Sequence, residues 1–284
     1  MTLRSSQIRL LSHSVLHVVL IAGSLLMVIP LLWTLSTSLK SIQQIAVWPP
    51  EWIPNPVMWS NYVEVFDAVP VFLWLRNSLV IVAANVVGSV VTCSFVAYGF
   101  ARLRFPGRDA LFLLMLSTLM MPYIVRLIPL YVLYNQVGWI NTFLPVTVPQ
   151  LLARNPFFIF LLRQFFMGIP DDLSDAARID GANEFQIWWR IVMPLSKPAL
   201  AAVAIFAFRD AWDNFLAPLV YMAGRPDLRP LAVGLYTLRG GGGQLPDTHY
   251  LMALSTMMII PMLLMFALGQ RYFIRGVTLT GLKG

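Results

Sequence analysis

The sequence predicts an all-α membrane protein with six transmembrane helices. Three observations carry that expectation. Apolar residues make up 58% of the 284 and charged residues only 12%, with a mean hydropathy of +0.72, well outside the range of soluble domains. Six stretches are apolar enough to cross a hydrocarbon core about 30 Å thick. Lys and Arg crowd into alternate loops, as the positive-inside rule requires.

The first stretch, 15–35, follows a basic start at Arg4 and Arg9. Its apolar core is too long for a signal peptide and reaches Pro30 and Trp33 without a small-x-small cleavage site. It is expected to remain as a helix. His13 and His17, at its start, read as interface markers. A long excursion from Lys40 to Asn77 follows, rich in Pro and Trp (WPPEWIPNPVMW); Trp at this density marks a membrane interface. Residues 61–75 read as a short amphipathic helix leading to the second stretch, 78–100. Lone Cys93 lies within it, so no disulfide framework exists, and packing between helices is its expected role.

The turn 101–110 contains Pro106-Gly107. The third and fourth stretches, 111–134 and 143–162, carry Pro and charge. A polar island, 169–198, separates the fourth from the fifth, 199–221. The loop 222–249 holds the run Gly240 to Gly243. Four glycines do not hold a fixed backbone; the loop is either a docking element, mobile until engaged, or a plain connector. The sixth stretch is 251–273.

Arg102, Arg104 and Arg108 sit between the second and third stretches. Arg163, Arg178, Arg190 and Lys197 lie between the fourth and fifth, and Arg271, Arg275 and Lys283 follow the sixth. The opposite loops hold Lys40, Arg76, Arg225, Arg229 and Arg239. Both termini and the 171–197 loop are therefore expected to be cytoplasmic. The net charge of +7 is an orientation signal and not a nucleic-acid footprint. The expected organisation is an N-terminal helix and external loop (1–71), a main transmembrane domain (72–273) and a cytoplasmic tail (274–284).

The island reads IPDDLSDAARIDGANEFQIWWRIVMPLSKP. Pro170 can open a helix, and Asp171 and Asp172 complement its dipole. Leu173, Ala176 and Ala177 fall at i, i+3 and i+4, a narrow apolar stripe that allows close approach to another surface. Asp180-Gly181 ends the helix, glycine supplying the left-handed conformation. A second helix restarts at Asn183, with Gln186 three residues on as in a capping box. Phe185, Trp188, Trp189 and Val192 form its aromatic stripe, and Pro194 and Pro198 bound it. An interfacial helix pair without special function would share these features.

Arg126, Arg209, Asp210 and Asp213 fall within the apolar stretches, with Arg154-Asn155 a further polar position. Such groups should face a cavity, the bundle interior or a partner. Arg209 and Asp213 are i, i+4, and Asp210, Asp213 and Asn214 are expected on one helical face. Either these groups satisfy one another and fix helix packing, a cross-helix pair with Arg126 included, or they line a central path. On the second reading Arg126, Asp210, Asp213 and Asn214 meet substrate, Trp212 and Tyr123 offering aromatic faces. Contact with a second subunit is a third use. An arginine in a path would also suit an anionic substrate.

The island resembles the "EAA" loop of binding-protein-dependent ABC importer permeases, through Ala176, Ala177, Asp180, Gly181, Ala182 and Pro194 in that order, with Asp175 where Glu is usual. The strings NYVEVF, WLRNSL, AYGFARLRFPGR, LIPLYVLYNQVGWINTFLP, AWDNFLAPL and GVTLTGLKG extend the likeness over nearly the whole chain, to the maltose-type "G-like" membrane subunits. Asp213-Asn214 reverses that family's common order, and TLTGLKG departs from its usual tail.

The resemblance implies a type I ABC importer permease fold with a cytoplasmic helix–turn–helix coupling loop, in a bacterial or archaeal cytoplasmic membrane. It implies a transport subunit and not an enzyme, moving a sugar or sugar derivative. The implied partners are a second, distinct and homologous permease chain, two cytoplasmic ATPase subunits, an external binding protein and membrane lipid. ATP and Mg would sit on the ATPases, and no cofactor or metal on this chain. Consistently, the sequence lacks a GxxxxGK[ST] phosphate loop. An ion-coupled secondary transporter is the alternative, with no use for the 175–181 segment. An intramembrane enzyme would need a Ser–His or metal-ligand spacing that the spans lack.

Overall fold

The computed structural model describes the backbone of residues 2–239 and 247–280, and side chains within 13–239 and 247–269. The glycine run 240–243 lies outside the described residues. Every described regular element is helical, and the chain divides into two compact units.

The first unit comprises Met1–Val69 and Leu235–Ile259. Its leading helix, Thr2–Ser38, exposes its apolar side chains from Val15 to Leu32, a surface suited to hydrocarbon. The Pro- and Trp-rich excursion is tied down by its polar groups. Lys40 Nζ donates to the Glu51 carbonyl at 2.5 Å and lies 4.1 Å from the Trp33 ring centroid. Asn61 Nδ2 donates to the carbonyls of Ser38 and Lys40 at 2.9 and 3.0 Å. The helix Asn61–Ala68 is shorter than the 61–75 expected, because Pro70 removes an N–H and pushes Val69 to an extended conformation.

The second unit comprises Pro70–Gly234 and Ile260–Gly284. Its central element is one long helix, Val71–Arg102, with a π-helical stretch at Ser89–Cys93. Pro156–Met167, Lys197–Trp212 and Leu144–Leu151 pack on it. Small residues bring the backbones close, as bundles in lipid require. A Cβ on Gly88 would lie 3.0 Å from the Gln150 carbonyl carbon. Polar side chains on the same helix then bond across the gap: Asn85 Nδ2 donates to the Val146 carbonyl at 3.0 Å, and Asn77 Nδ2 to those of Asp227 and Arg229 at 2.8 and 3.0 Å. Cys93 is fully buried in this core beside Leu162, Phe166, Ile187 and Trp188.

Three of the six expected stretches are interrupted in the structure. Three described helices are long and apolar enough to cross a membrane, or five if each of two bent pairs is one span. The third stretch bends by 101° between Arg108–Met120 and Tyr123–Gln136, because Pro122 cannot continue the ladder and leaves Met121 extended. The fourth is two short helices, Leu144–Leu151 and Pro156–Met167, separated by Ala153 at φ +53°. Asn155 caps the second of these through Phe157 N at 3.1 Å. The fifth starts at Lys197 after an 84° bend and its helix stops at Trp212, leaving Asp213 and Asn214 beyond its end. The last helix, Thr248–Thr280, runs past the expected boundary at 273.

Candidate functional site

The polar island folds as a helix, Asp171–Ile179, a turn, and a second helix, Glu184–Leu195. The turn satisfies orphan carbonyls at the end of the first helix. Gly181 N donates to the Arg178 carbonyl at 3.0 Å and Ala182 N to that of Ala177 at 2.9 Å, the paired bonds of a Schellman motif. Gly181 is at φ +85° with open space where a Cβ would sit. Asn183 and Gln186 then form the expected capping box, both bonds at 2.9 Å.

Burial divides the expected stripes. Ala177 and Ala182 pack against the core, while Leu173, Ala176 and Asp180 are exposed and Ile179 is 86% exposed. The outward apolar face of the first helix is therefore Leu173, Ala176 and Ile179. On the second helix Trp188 and Val192 are buried, Phe185 and Trp189 exposed, and Pro194 is exposed near its end. The helical turn between neighbours points Trp189 outward while its ring centroid stays 5.5 Å from that of Trp188, and a π-helical stretch spans Trp188–Val192.

The island is clamped to the central helix by groups that the sequence reading treated only as orientation signals or overlooked. The Tyr98 hydroxyl donates to Glu184 Oε2 at 2.5 Å. Glu184 also accepts from Arg178 Nε at 2.9 Å, and Arg178 reaches Asp175 Oδ1 at 2.7 Å. Its bond to Arg178 holds the Glu184 carboxyl below the usual carboxylate range. Arg102 donates to the Phe166 carbonyl at 2.7 Å and to that of Ile169, and pairs with Asp171. A cation there complements the C-terminal end of Pro156–Met167. The available signal was the i, i+4 spacing of Tyr98 and Arg102 at the end of an otherwise apolar stretch.

The intramembrane charges gather around one cavity of about 470 Å³. Arg126, Arg154, Arg209, Asp210, Asp213 and Asn214 line it, with Tyr123. It lies where the broken stretches end: after Pro122, at the Ala153 kink and beyond Trp212. The Arg209–Asp213 pair forms at 3.9 Å. Arg126 makes no ion pair among the described residues, and its Nε is shut off from solvent without a hydrogen-bond partner. The cross-helix pair weighed for it is thus not formed. Trp212 is buried and stacks on Phe208 at 5.6 Å; it is not among the lining residues. Tyr123 supplies the aromatic face instead.

Comparison with known proteins places this arrangement. Residues 89–279 match the family model "Binding-protein-dependent transport system inner membrane component". The arabinooligosaccharides transport system permease protein AraQ of Halalkalibacterium halodurans is 38% identical over 232 residues, 81% of each chain. The sn-glycerol-3-phosphate transport system permease protein UgpE of Yersinia enterocolitica is 32% identical over 267 residues, 92% of this chain and 94% of that one. A chain of a bacterial ABC transporter involved in the import of the acidic polysaccharide alginate superposes with a TM-score of 0.81 at 24% identity, covering 91% and 95% of the two chains; the fold is shared. The protein belongs to the binding-protein-dependent transport system inner membrane component family. It is a membrane component of a transport system.

Proposed function

We propose that the chain is the membrane-spanning subunit of an ATP-driven importer that moves a carbohydrate or carbohydrate derivative into the cell. The observation that carries this reading is the family match across the island and the cavity together, with relatives named for arabinooligosaccharide and sn-glycerol-3-phosphate transport. The chain crosses the cytoplasmic membrane six times, the kinked stretches counted as passages, with both termini and the island on the cytoplasmic side. Asp175, Ala176, Ala177, Asp180, Gly181, Ala182 and Pro194 form the coupling element. Its outward face, around Ile179, seats on one of two ATPase subunits, which hold ATP and Mg.

Closure of the ATPases moves the island, and the Tyr98–Glu184 and Arg102–Asp171 contacts carry that movement to the central helix. Access to the cavity then switches between two states of the bundle, biased by differential contact. A second permease chain completes the path, and an external binding protein delivers substrate. Arg126, Asp210, Asp213 and Asn214 lie on that path, with Trp212 supporting its wall from behind. An ion-coupled mechanism is not favoured by this family membership.

Uptake by the complete complex in proteoliposomes tests the reading. Uptake that requires internal ATP and survives an ionophore supports it. Uptake without ATP that collapses with the ion gradient overturns it.

A further inference from the structure

We infer that the cavity receives an anionic carbohydrate, one bearing a carboxylate or a phosphate, with the charged group held by Arg126 and Arg154. This deepens the importer reading and rests on it. Three guanidiniums and two carboxylates line the cavity. Of the carboxylates, Asp213 is engaged by Arg209 at 3.9 Å, and Asp210 makes no ion pair with Arg126 among the described residues. Arginine stays charged in any protein environment and offers only donors. Arg126 is half-buried and its Nε is shut off from solvent without a hydrogen-bond partner among the described residues, a donor that is costly to leave unmade. A group that merely fixed helix packing would spend that donor on a neighbour; Arg126 does not.

Arg154 shares the cavity. Its guanidinium carbon lies 5.8 Å from the Tyr123 ring centroid, a contact that orients the fork without neutralising it. Arg126 follows Tyr123 by three residues on the same helix, which puts one arginine a turn away from the ring that orients the other. Two forks near one aromatic face match a carboxylate or phosphate bidentately. The sugar hydroxyls of the same ligand find acceptors in Asp210, Asp213 and Asn214. A neutral sugar would leave both guanidiniums without an anion.

The test uses the complete transporter with its own binding protein in proteoliposomes. Three radiolabelled probes are compared: a uronic acid disaccharide, a hexose phosphate and a neutral disaccharide. Wild type should take up at least one acidic probe in an ATP-dependent manner, and the two acidic arms separate carboxylate from phosphate. Arg126→Gln and Arg154→Gln should each lower that uptake about ten-fold, the size of one lost charge-assisted bond. Arg126→Lys keeps the charge and loses the fork, so its uptake should fall between wild type and Arg126→Gln, and this partial rescue shows that the loss in Arg126→Gln is not one of folding. Uptake of the neutral probe alone, no uptake of either acid, or acidic uptake unchanged in both Gln variants overturns the inference. ATP-dependent neutral uptake would do so while leaving the importer reading intact. Uptake of any probe without ATP would remove that reading instead.

Discussion

The Tyr98 hydroxyl donates to the Glu184 carboxylate at 2.5 Å, joining the central helix to the start of the second island helix. Glu184 is held from its other side by Arg178, so one carboxylate ties three segments together. Around it Ile187, Trp188 and Val192 are buried against Cys93, Ala97 and Tyr98. The island is thereby a rigid extension of the bundle and not a tethered flap.

Tyr98→Phe removes the bond and keeps the ring. Glu184 is 41% exposed at its side chain, so water takes over part of the lost interaction. The expected loss is about 1 kcal/mol, read as a lower thermal midpoint of the detergent-purified protein. If the contact transmits movement, substrate-stimulated ATP turnover by the complex should also yield less transport per ATP. An unchanged ratio would assign Tyr98 to packing alone.

The Glu184 carboxyl is held below its ordinary value by Arg178. A depressed folded-state pKa stabilises the fold above the unfolded value of about 4.3. That contribution is lost as pH falls through the depressed value. Thermal midpoints should therefore drop more steeply on acidification for wild type than for Glu184→Gln. Parallel curves would show that the pairing adds nothing to stability.

Ile179 is 86% exposed, so a substituted side chain there meets solvent and not the core. Ile179→Asp should leave expression and thermal stability within about 0.5 kcal/mol of wild type and reduce retention of the ATPase subunits on purification. Ala177→Arg is a different experiment, because Ala177 packs inward on the core; it should lower stability and so cannot report on docking by itself. Undiminished ATPase retention in Ile179→Asp would move the docking face elsewhere.

Gly181→Val meets open space but must adopt φ +85°. The strain of a β-branched residue there costs on the order of 1–3 kcal/mol. Gly181→Asn tolerates the same conformation better and should retain more transport. Equal loss in the two variants would place the defect in the docking surface and not in the turn.

Gly234→Ala tests the packing of the second unit. An added Cβ would lie 2.3 Å from the Trp74 indole, which is 4% exposed. Overpacking of this kind costs about 1–3 kcal/mol, measurable as a lowered thermal midpoint. A neutral outcome would mean that Trp74 has room to move.

The helix–turn–helix of the island was legible because its signals are local. A glycine needed at a left-handed position, an asparagine and a glutamine three apart, and a proline at a helix start each act within one turn of chain. The breaks in the third and fourth stretches were less legible. Hydropathy averages over a window and cannot see that Pro122 or Ala153 redirects the backbone, although the prolines were in view. The inward face of Ala177 was not legible, because i, i+3, i+4 spacing identifies a stripe without saying which side it meets. The Trp212 ring was likewise available in principle, yet burial on Phe208 removed it from the cavity.

Composition and charge distribution were enough to establish the solvent and the orientation expected of this chain, because hydrophobic burial and the positive-inside bias are sums over many residues. The motif order in 175–194 was enough to point to the family for the same additive reason. Only the tertiary structure decided that three broken stretches meet at one polar cavity and that Arg126 enters it without an ion-pair partner among the described residues. It alone decided that Tyr98 and Arg102 hold the island. Those outcomes depend on where distant segments pack, and close packing between residues 86 positions apart, as with Tyr98 and Glu184, leaves no periodic trace in the sequence.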